Sequence, residues 1–130
     1  MSEPEWLDTA IVLDVHAEQL ALFGGADGVR DLGLLESALG RPLNKFAYGD
    51  SDLASLAAAY AFGIAKNHPF VDGNKRTGLV AMLVFLGLNG QRLEAPDDEL
   101  ADLVLSVAAG RISKADVAVF VRHHRRPQPR

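Results

Sequence analysis

The chain has no cysteine, which excludes disulfides, thiolate metal sites and cysteine nucleophiles. No apolar run approaches the ~18 residues needed to span a bilayer, so no membrane segment is expected. An excess of positive charge is also missing. Lys and Arg number 13 against 17 Asp and Glu, a net charge of -4, which is a poor composition for a general nucleic-acid binder. The opening residues, Met1 to Trp6, lack the basic-then-apolar order of a signal peptide, so a cytoplasmic location is expected. There is no His-Glu-x-x-His pair for zinc. Gly73-Asn74-Lys75 lacks the spacing of a Walker loop and has no strand before it. Internal repeats, low-complexity tracts and a dividing linker are likewise absent. What is present is 130 residues, 48% apolar and 23% charged, the mix of one globular domain.

The patterning is helical. Ile11, Val12, Val15, Leu20 and Phe23 predict a helix over Thr9 to Phe23, stopped by Gly24-Gly25. Asp31 can cap a second helix through Leu39, with Gly40-Arg41-Pro42 as its stop. Arg41 to Asp50 read as irregular, a short hairpin arm or a surface loop. Ser51 or Asp52 caps an alanine-rich third helix, Leu53 to Asn67, whose small side chains suit a central position. A fourth helix from Asn74 to about Asn89 is apolar nearly all round and so buried. Gln91 to Glu94 can be a short extended piece. Pro96-Asp97-Asp98-Glu99 opens a fifth helix, its acids at the positive dipole end, and Ser113 caps a sixth. The expected fold is all-α: a compact single-domain bundle of about six helices with a possible small β-hairpin flap. Its core covers about residues 8–122, and 123–130 form a basic tail expected to fray.

The chemistry concentrates in His68 to Thr77, His-Pro-Phe-Val-Asp-Gly-Asn-Lys-Arg-Thr, a polar turn between two apolar helices. The backbone N–H groups of Gly73 to Arg76 would be orphan donors at a helix N-terminus, a ready site for phosphate. Gly73 would let an anion approach the backbone. Lys75 and Arg76 add positive charge, and Asp72 offers the hard oxygen that Mg²⁺ requires. His68 can take a proton from a hydroxyl nucleophile. Taken singly, a His before a proline is a helix-end hydrogen bonder, a Lys-Arg pair is solvated surface, and an Asp is a cap. Together in one turn they are the parts of a phosphoryl or nucleotidyl transfer site.

His68-Pro69-Phe70-Val71-Asp72-Gly73-Asn74-Lys75-Arg76 resembles the signature of the Fic/Doc family. Lys75, where the Fic branch has a second glycine, points to the Doc (death-on-curing) toxin branch. The likeness extends through His16, Phe23-Gly24-Gly25, Gly28, Leu35-Glu36-Ser37-Ala38, Gly40-Arg41-Pro42, Tyr48, Ala58-Ala59-Tyr60 and Phe85 to Gly90. The resemblance implies a toxin that moves the γ-phosphate of ATP onto a threonine of translation elongation factor Tu. It implies His68 as general base, with Lys75 and Arg76 in the catalytic machinery. Gly73, Asn74, Lys75, Arg76 and Thr77 would bind the nucleotide, and Asp72 would hold Mg²⁺. Arg41 to Tyr48 would be a flap that aligns the target by strand pairing. A lysine in place of the Fic glycine would seat the nucleotide with its terminal phosphate toward His68. Gly73, where Doc proteins often have alanine, departs toward the Fic pattern, and Fic-type AMP transfer is the alternative reaction. No Ser/Thr-x-x-x-Glu-Gly/Asn inhibitory pattern occurs in the chain. The resemblance therefore implies inhibition by a Phd-type antitoxin, with nucleic acid met only indirectly through it. A non-catalytic module that binds antitoxin and tunes transcription is the rival from another class.

Three further features stay open at this level. His16 can touch the active turn or support a neighbouring loop. Lys66 can join the anion hole or cover the end of its helix. Arg122 to Arg126 read as a solvated last turn.

Overall fold

The computed structural model describes residues 3–128. The elements run α1 (Thr9–Phe23), α2 (Leu32–Ala47), α3 (Leu53–Asn67), α4 (Asn74–Leu88), β1 (Gln91–Leu93), α5 (Asp97–Ala108), α6 (Lys114–His124) and β2 (Arg125–Pro127). The fold is all-α apart from one two-stranded antiparallel sheet. Four helices start where a short polar side chain caps them. Asp8 accepts from the Ile11 N–H, Asp31 from Leu34, and Asp52 from Ala54, while Ser113 and Asp116 form a reciprocal capping box. No helix of the described residues is long and apolar enough to cross a membrane.

Helix α3 is the centre, packed by α2, α4 and α6. Its small residues let the neighbours close in. A Cβ on Gly63 would lie 3.2 Å from the Ala38 Cβ of α2, and one on Gly78 of α4 would lie 3.0 Å from the Ala61 carbonyl. Its own Leu56, Tyr60 and Ile64 are fully buried, as are Phe70 and Phe85 beside them. The Tyr60 hydroxyl accepts the Leu7 N–H at 3.1 Å, and burial pushes its pKa up to about 12. That bond ties the chain ahead of α1 to the core.

The structure corrects the sequence reading at two places. First, α2 does not stop at Leu39 but runs to Ala47 with Pro42 inside it. A helix-interior proline costs about 3 kcal/mol. Against that, Leu35, Ala38, Leu39 and Pro42 form one buried stripe, and Phe46 meets the Trp6 ring edge-on at 5.5 Å. Each large apolar side chain so buried returns about 1.5–3 kcal/mol, so the stripe outweighs the missing N–H. Residues 41–47 are therefore helical, and Arg41 to Tyr48 make no strand-pairing flap. Second, the sheet lies elsewhere. The extended piece expected near Gln91 is β1, and it pairs with the tail residues expected to fray: Gln91 with Pro127, Arg92 with Arg126, Leu93 with Arg125. Asp52 takes both Arg122 and Arg125, at 2.7 and 3.4 Å, so much of the basic run is ion-paired. Pro129 and Arg130, the end of that predicted tail, lie outside the described residues.

Candidate active site

Residues 68–73 join α3 to α4, and the segment between α1 and α2 sets their path. Val29 and Phe70 form an isolated antiparallel bridge. The Arg30 and Asp31 N–H groups donate to the Pro69 carbonyl at 2.7 and 3.0 Å, and the Val71 N–H donates to the Gly28 carbonyl at 3.0 Å. In such a pairing the N–H and C=O of Phe70 itself face away from the partner. Asn74 meets both: its Oδ1 accepts from the Phe70 N–H and its Nδ2 donates to the Phe70 carbonyl, each at 2.9 Å.

The Phe70 ring is fully buried and stacks on His16, with centroids 3.8 Å apart and planes 7° off parallel. His16 is buried too, and its Nε2 lies 2.9 Å from the Asp72 carbonyl. A carbonyl only accepts, so Nε2 carries the proton. His16 thus touches the active turn directly, the first of its two predicted roles, and supports it from beneath.

His68 is the one non-glycine residue with positive φ among those described, at φ 54 and ψ 54. That conformation costs about 1–2 kcal/mol in an L-residue. Arg30 holds it there: Nε donates to the His68 carbonyl at 2.8 Å and Nη2 to the Asn67 carbonyl at 3.0 Å. The Asn67 side chain is in turn held by Arg41 and by the Leu34 carbonyl. The chain turns sharply at His68, and the imidazole comes over the first turn of α4. Its Nδ1 lies 3.2 Å from Asn74 Nδ2. The bracket on Phe70 fixes which end of the amide is nitrogen, so the amide donates and Nδ1 accepts.

At the start of α4, Gly73 sits at φ 78, a left-handed cap. A Cβ there would meet Leu20 and His16 at 3.5 and 3.7 Å, on the α1 side, so the glycine answers to its φ rather than to close anion approach. Its N–H is already taken by Asp72 Oδ1 at 2.8 Å. The free backbone donors of the first turn are therefore those of Asn74, Lys75 and Arg76, with no side-chain cap on them. Asp72 Oδ2 accepts the Ala26 N–H at 3.3 Å. The Gly73 bond first, and then the Ala26 bond, hold the Asp72 carboxyl below the usual carboxylate range, so it is ionised.

Arg76 is partly buried. Its Nη2 donates to the Gly24 carbonyl at 3.2 Å, its guanidinium lies 5.1 Å from the centre of the Phe23 ring, and its buried Nε has no partner. An arginine fixed on one side with a donor left over is poised for an anion. Lys75 is exposed and forms no ion pair among the described residues.

These groups line one cleft of about 470 Å³. His68, Asp72, Asn74, Lys75 and Arg76 form its polar side, and Leu79, Val104 and Leu105 its apolar side. Thr77, predicted within the nucleotide-binding set, is not part of the lining: it is fully buried, and its hydroxyl has no partner. Sequence reasoning missed Arg30, which carries no local signal, and the α5 wall. Leu105 could have been noticed, because it is an exposed apolar residue off the buried Leu103, Val104, Val107 stripe.

Among the described residues no three His, Asp or Glu side chains could enclose a metal ion. A single ionised carboxylate beside free anion donors fits Mg²⁺, which takes one or two carboxylates and completes its shell with phosphate oxygens and water.

Residues 6–86 match the profile of the Fic/DOC family. The chain is 38% identical over 113 residues to a protein named protein kinase Doc from Escherichia phage P1, covering 85% of this chain and 88% of that one. It is 43% identical over 109 residues to a protein named toxin Doc from Mycolicibacterium smegmatis, covering 80% and 81%. The turn, the helix start and the long-range likeness all agree, and the chain belongs to the Fic/Doc family.

Proposed function

We propose that this protein is a Doc-like toxin, a cytoplasmic kinase that moves the γ-phosphate of ATP onto a threonine of elongation factor Tu, held in check by a Phd-type antitoxin. One observation carries this reading. A single cleft holds three free backbone donors, a half-satisfied arginine, a free lysine, an ionised aspartate and an imidazole. The name of the phage P1 relative points the same way.

The roles follow from the contacts. The Asn74, Lys75 and Arg76 N–H groups and the Arg76 guanidinium would hold phosphate oxygens. Asp72 would hold Mg²⁺, which offsets charge on the phosphates when bound. His68 would take the proton of the acceptor hydroxyl as its oxygen bonds to the γ-phosphorus. The bond from that phosphorus to the bridging oxygen then breaks, and ADP leaves. The unprotonated ring nitrogen is Nδ1, so the hydroxyl must displace the 3.2 Å Asn74 contact, which is long and cheap to break. Lys75 would fill the space a Fic glycine leaves open, and so favours transfer of the terminal phosphate over AMP.

The test is incubation of the protein with elongation factor Tu, Mg²⁺ and ATP labelled at either the γ or the α phosphate. Label from γ alone is expected, with a mass gain of one phosphate that is lost in His68→Ala. Label from α alone would make the enzyme an AMP transferase. No label from either, with growth arrest intact in His68→Ala, would leave a binding module.

A further inference from the structure

A second cleft, of about 420 Å³, adjoins the first and shares His68, Lys75 and Leu105 with it. It is lined by His68, Lys75, Leu105, Ala108, Ala109 and Arg111. We propose that this cleft receives an acidic side chain of the acceptor polypeptide, gripped by Arg111 on the α5–α6 turn, and so selects hydroxyls with an acidic neighbour. The inference rests on the phosphoryl-transfer reading of the first cleft.

Charge carries it. Arg111 is anchored at one edge only: its N–H donates to the Ser106 carbonyl at 2.9 Å, and Nη2 donates to Ser106 Oγ at 3.3 Å. Gly110 makes the turn at φ 73, and a Cβ there would lie 3.8 Å from Lys66 Nζ, which places that ammonium beside the same turn. Among the described residues Lys75 and Arg111, which line the cleft, and Lys66 beside its turn have no carboxylate partner. No carboxylate lines the second cleft. In a chain of net charge -4, unpaired cations gathered at one cleft have an acidic ligand as their complement.

Geometry selects the acceptor over the nucleotide. Asp72, Asn74 and Arg76 line the first cleft and not the second, so most of the phosphate-holding set lies outside the second. His68 lines both clefts, so an acceptor seated in the second can present its hydroxyl to the imidazole beside the phosphates of the first. The Leu105, Ala108 and Ala109 wall of the second cleft suits the carbon stem of a glutamate.

Fluorescence anisotropy on the full chain tests this. The probes are labelled nonapeptides with a central threonine, flanked either by Asp and Glu or by Asn and Gln. The acidic peptide should bind about ten-fold more tightly, and Arg111→Glu should remove that preference. Arg111→Lys should restore part of it, and ATP·Mg²⁺ affinity by calorimetry should stay within about two-fold throughout, because Arg111 lies outside the first cleft. Equal binding of the two peptides overturns the proposal. So does displacement of the acidic peptide by inorganic pyrophosphate, which would give the second cleft to the nucleotide. Tighter binding of an oligothymidine at about 0.15 M salt overturns it as well, in favour of nucleic acid. If the acidic peptide binds through Arg111 but ATP does not bind at all, the cleft assignment stands and the kinase reading falls.

Discussion

Replacing Asn74 by alanine separates two physical accounts of the turn, because they predict opposite signs. On helix propensity alone, alanine in the first turn of α4 gains up to about 0.7 kcal/mol over asparagine. On the hydrogen-bond account, the substitution orphans two backbone groups of Phe70, a residue with 0% exposure, whose N–H and carbonyl are both met by Asn74 at 2.9 Å. Each buried unsatisfied group costs about 1–3 kcal/mol, and partial relaxation of the turn brings the pair to about 2–4. The unfolding entropy of about 2.1 cal/mol/K per residue, over 130 residues, is about 0.27 kcal/mol/K. A loss of about 3 kcal/mol then lowers Tm by about 11 °C. Asn74→Asp keeps the acceptor for the Phe70 N–H and loses only the donor, and its charge suits the helix N-terminus, so its cost should be about half as large. The assay is urea unfolding followed by circular dichroism, with an unchanged m-value confirming that stability alone has moved. An alanine variant as stable as the parent would refute the bracket as the device that shapes the turn.

Three further outcomes are expected. His16→Phe keeps the stack on Phe70 but loses the 2.9 Å bond to the Asp72 carbonyl, so it should cost about 1 kcal/mol in urea unfolding; a cost beyond about 3 would mean the ring does more than hold the turn. Thr77→Val removes a buried hydroxyl that has no partner, and should raise stability by about 1 kcal/mol while leaving ATP affinity unchanged; weakened ATP binding would return Thr77 to the nucleotide site. Asp72 has a folded pKa below its ordinary 3.8, so its contribution to stability is present above that value and is lost as pH falls through the lower folded pKa. The stability gap between the parent and Asp72→Asn should therefore close in acid, and a gap constant from pH 6 to about pH 3 would refute the assignment.

The helices were legible because their signals are local. Asp8, Asp31, Asp52 and Ser113 cap within three residues of themselves, and the apolar stripes they open need no knowledge of the partner. Pro42 shows where local signals lose. Gly40-Arg41-Pro42 reads as a stop, yet Phe46 has Trp6 to pack against, a contact forty residues back in the chain. The partner of β1 escaped notice for the same reason: Arg125–Pro127 look like a charged frayed tail until β1 offers them hydrogen bonds.

The site divides along the same line. Its reacting groups, His68, Asp72, Lys75 and Arg76, are neighbours in sequence, and their residue types announce phosphate chemistry. Their holders are remote. Arg30 fixes the left-handed His68, the Ala26 N–H helps keep Asp72 ionised, the Gly24 carbonyl takes one side of Arg76, and His16 carries the Asp72 carbonyl. All four belong to α1 or to the segment between α1 and α2, where nothing in residue type marks them as supports. A left-handed histidine is unfavourable by itself, so the motif cannot hold its own geometry. The segment from Gly24 to Asp31 supplies the holding force, and its contacts reach both ends of the turn, at Asn67 and at Arg76. A change in that segment would shift the base, the aspartate and the arginine together, with every residue of the motif intact.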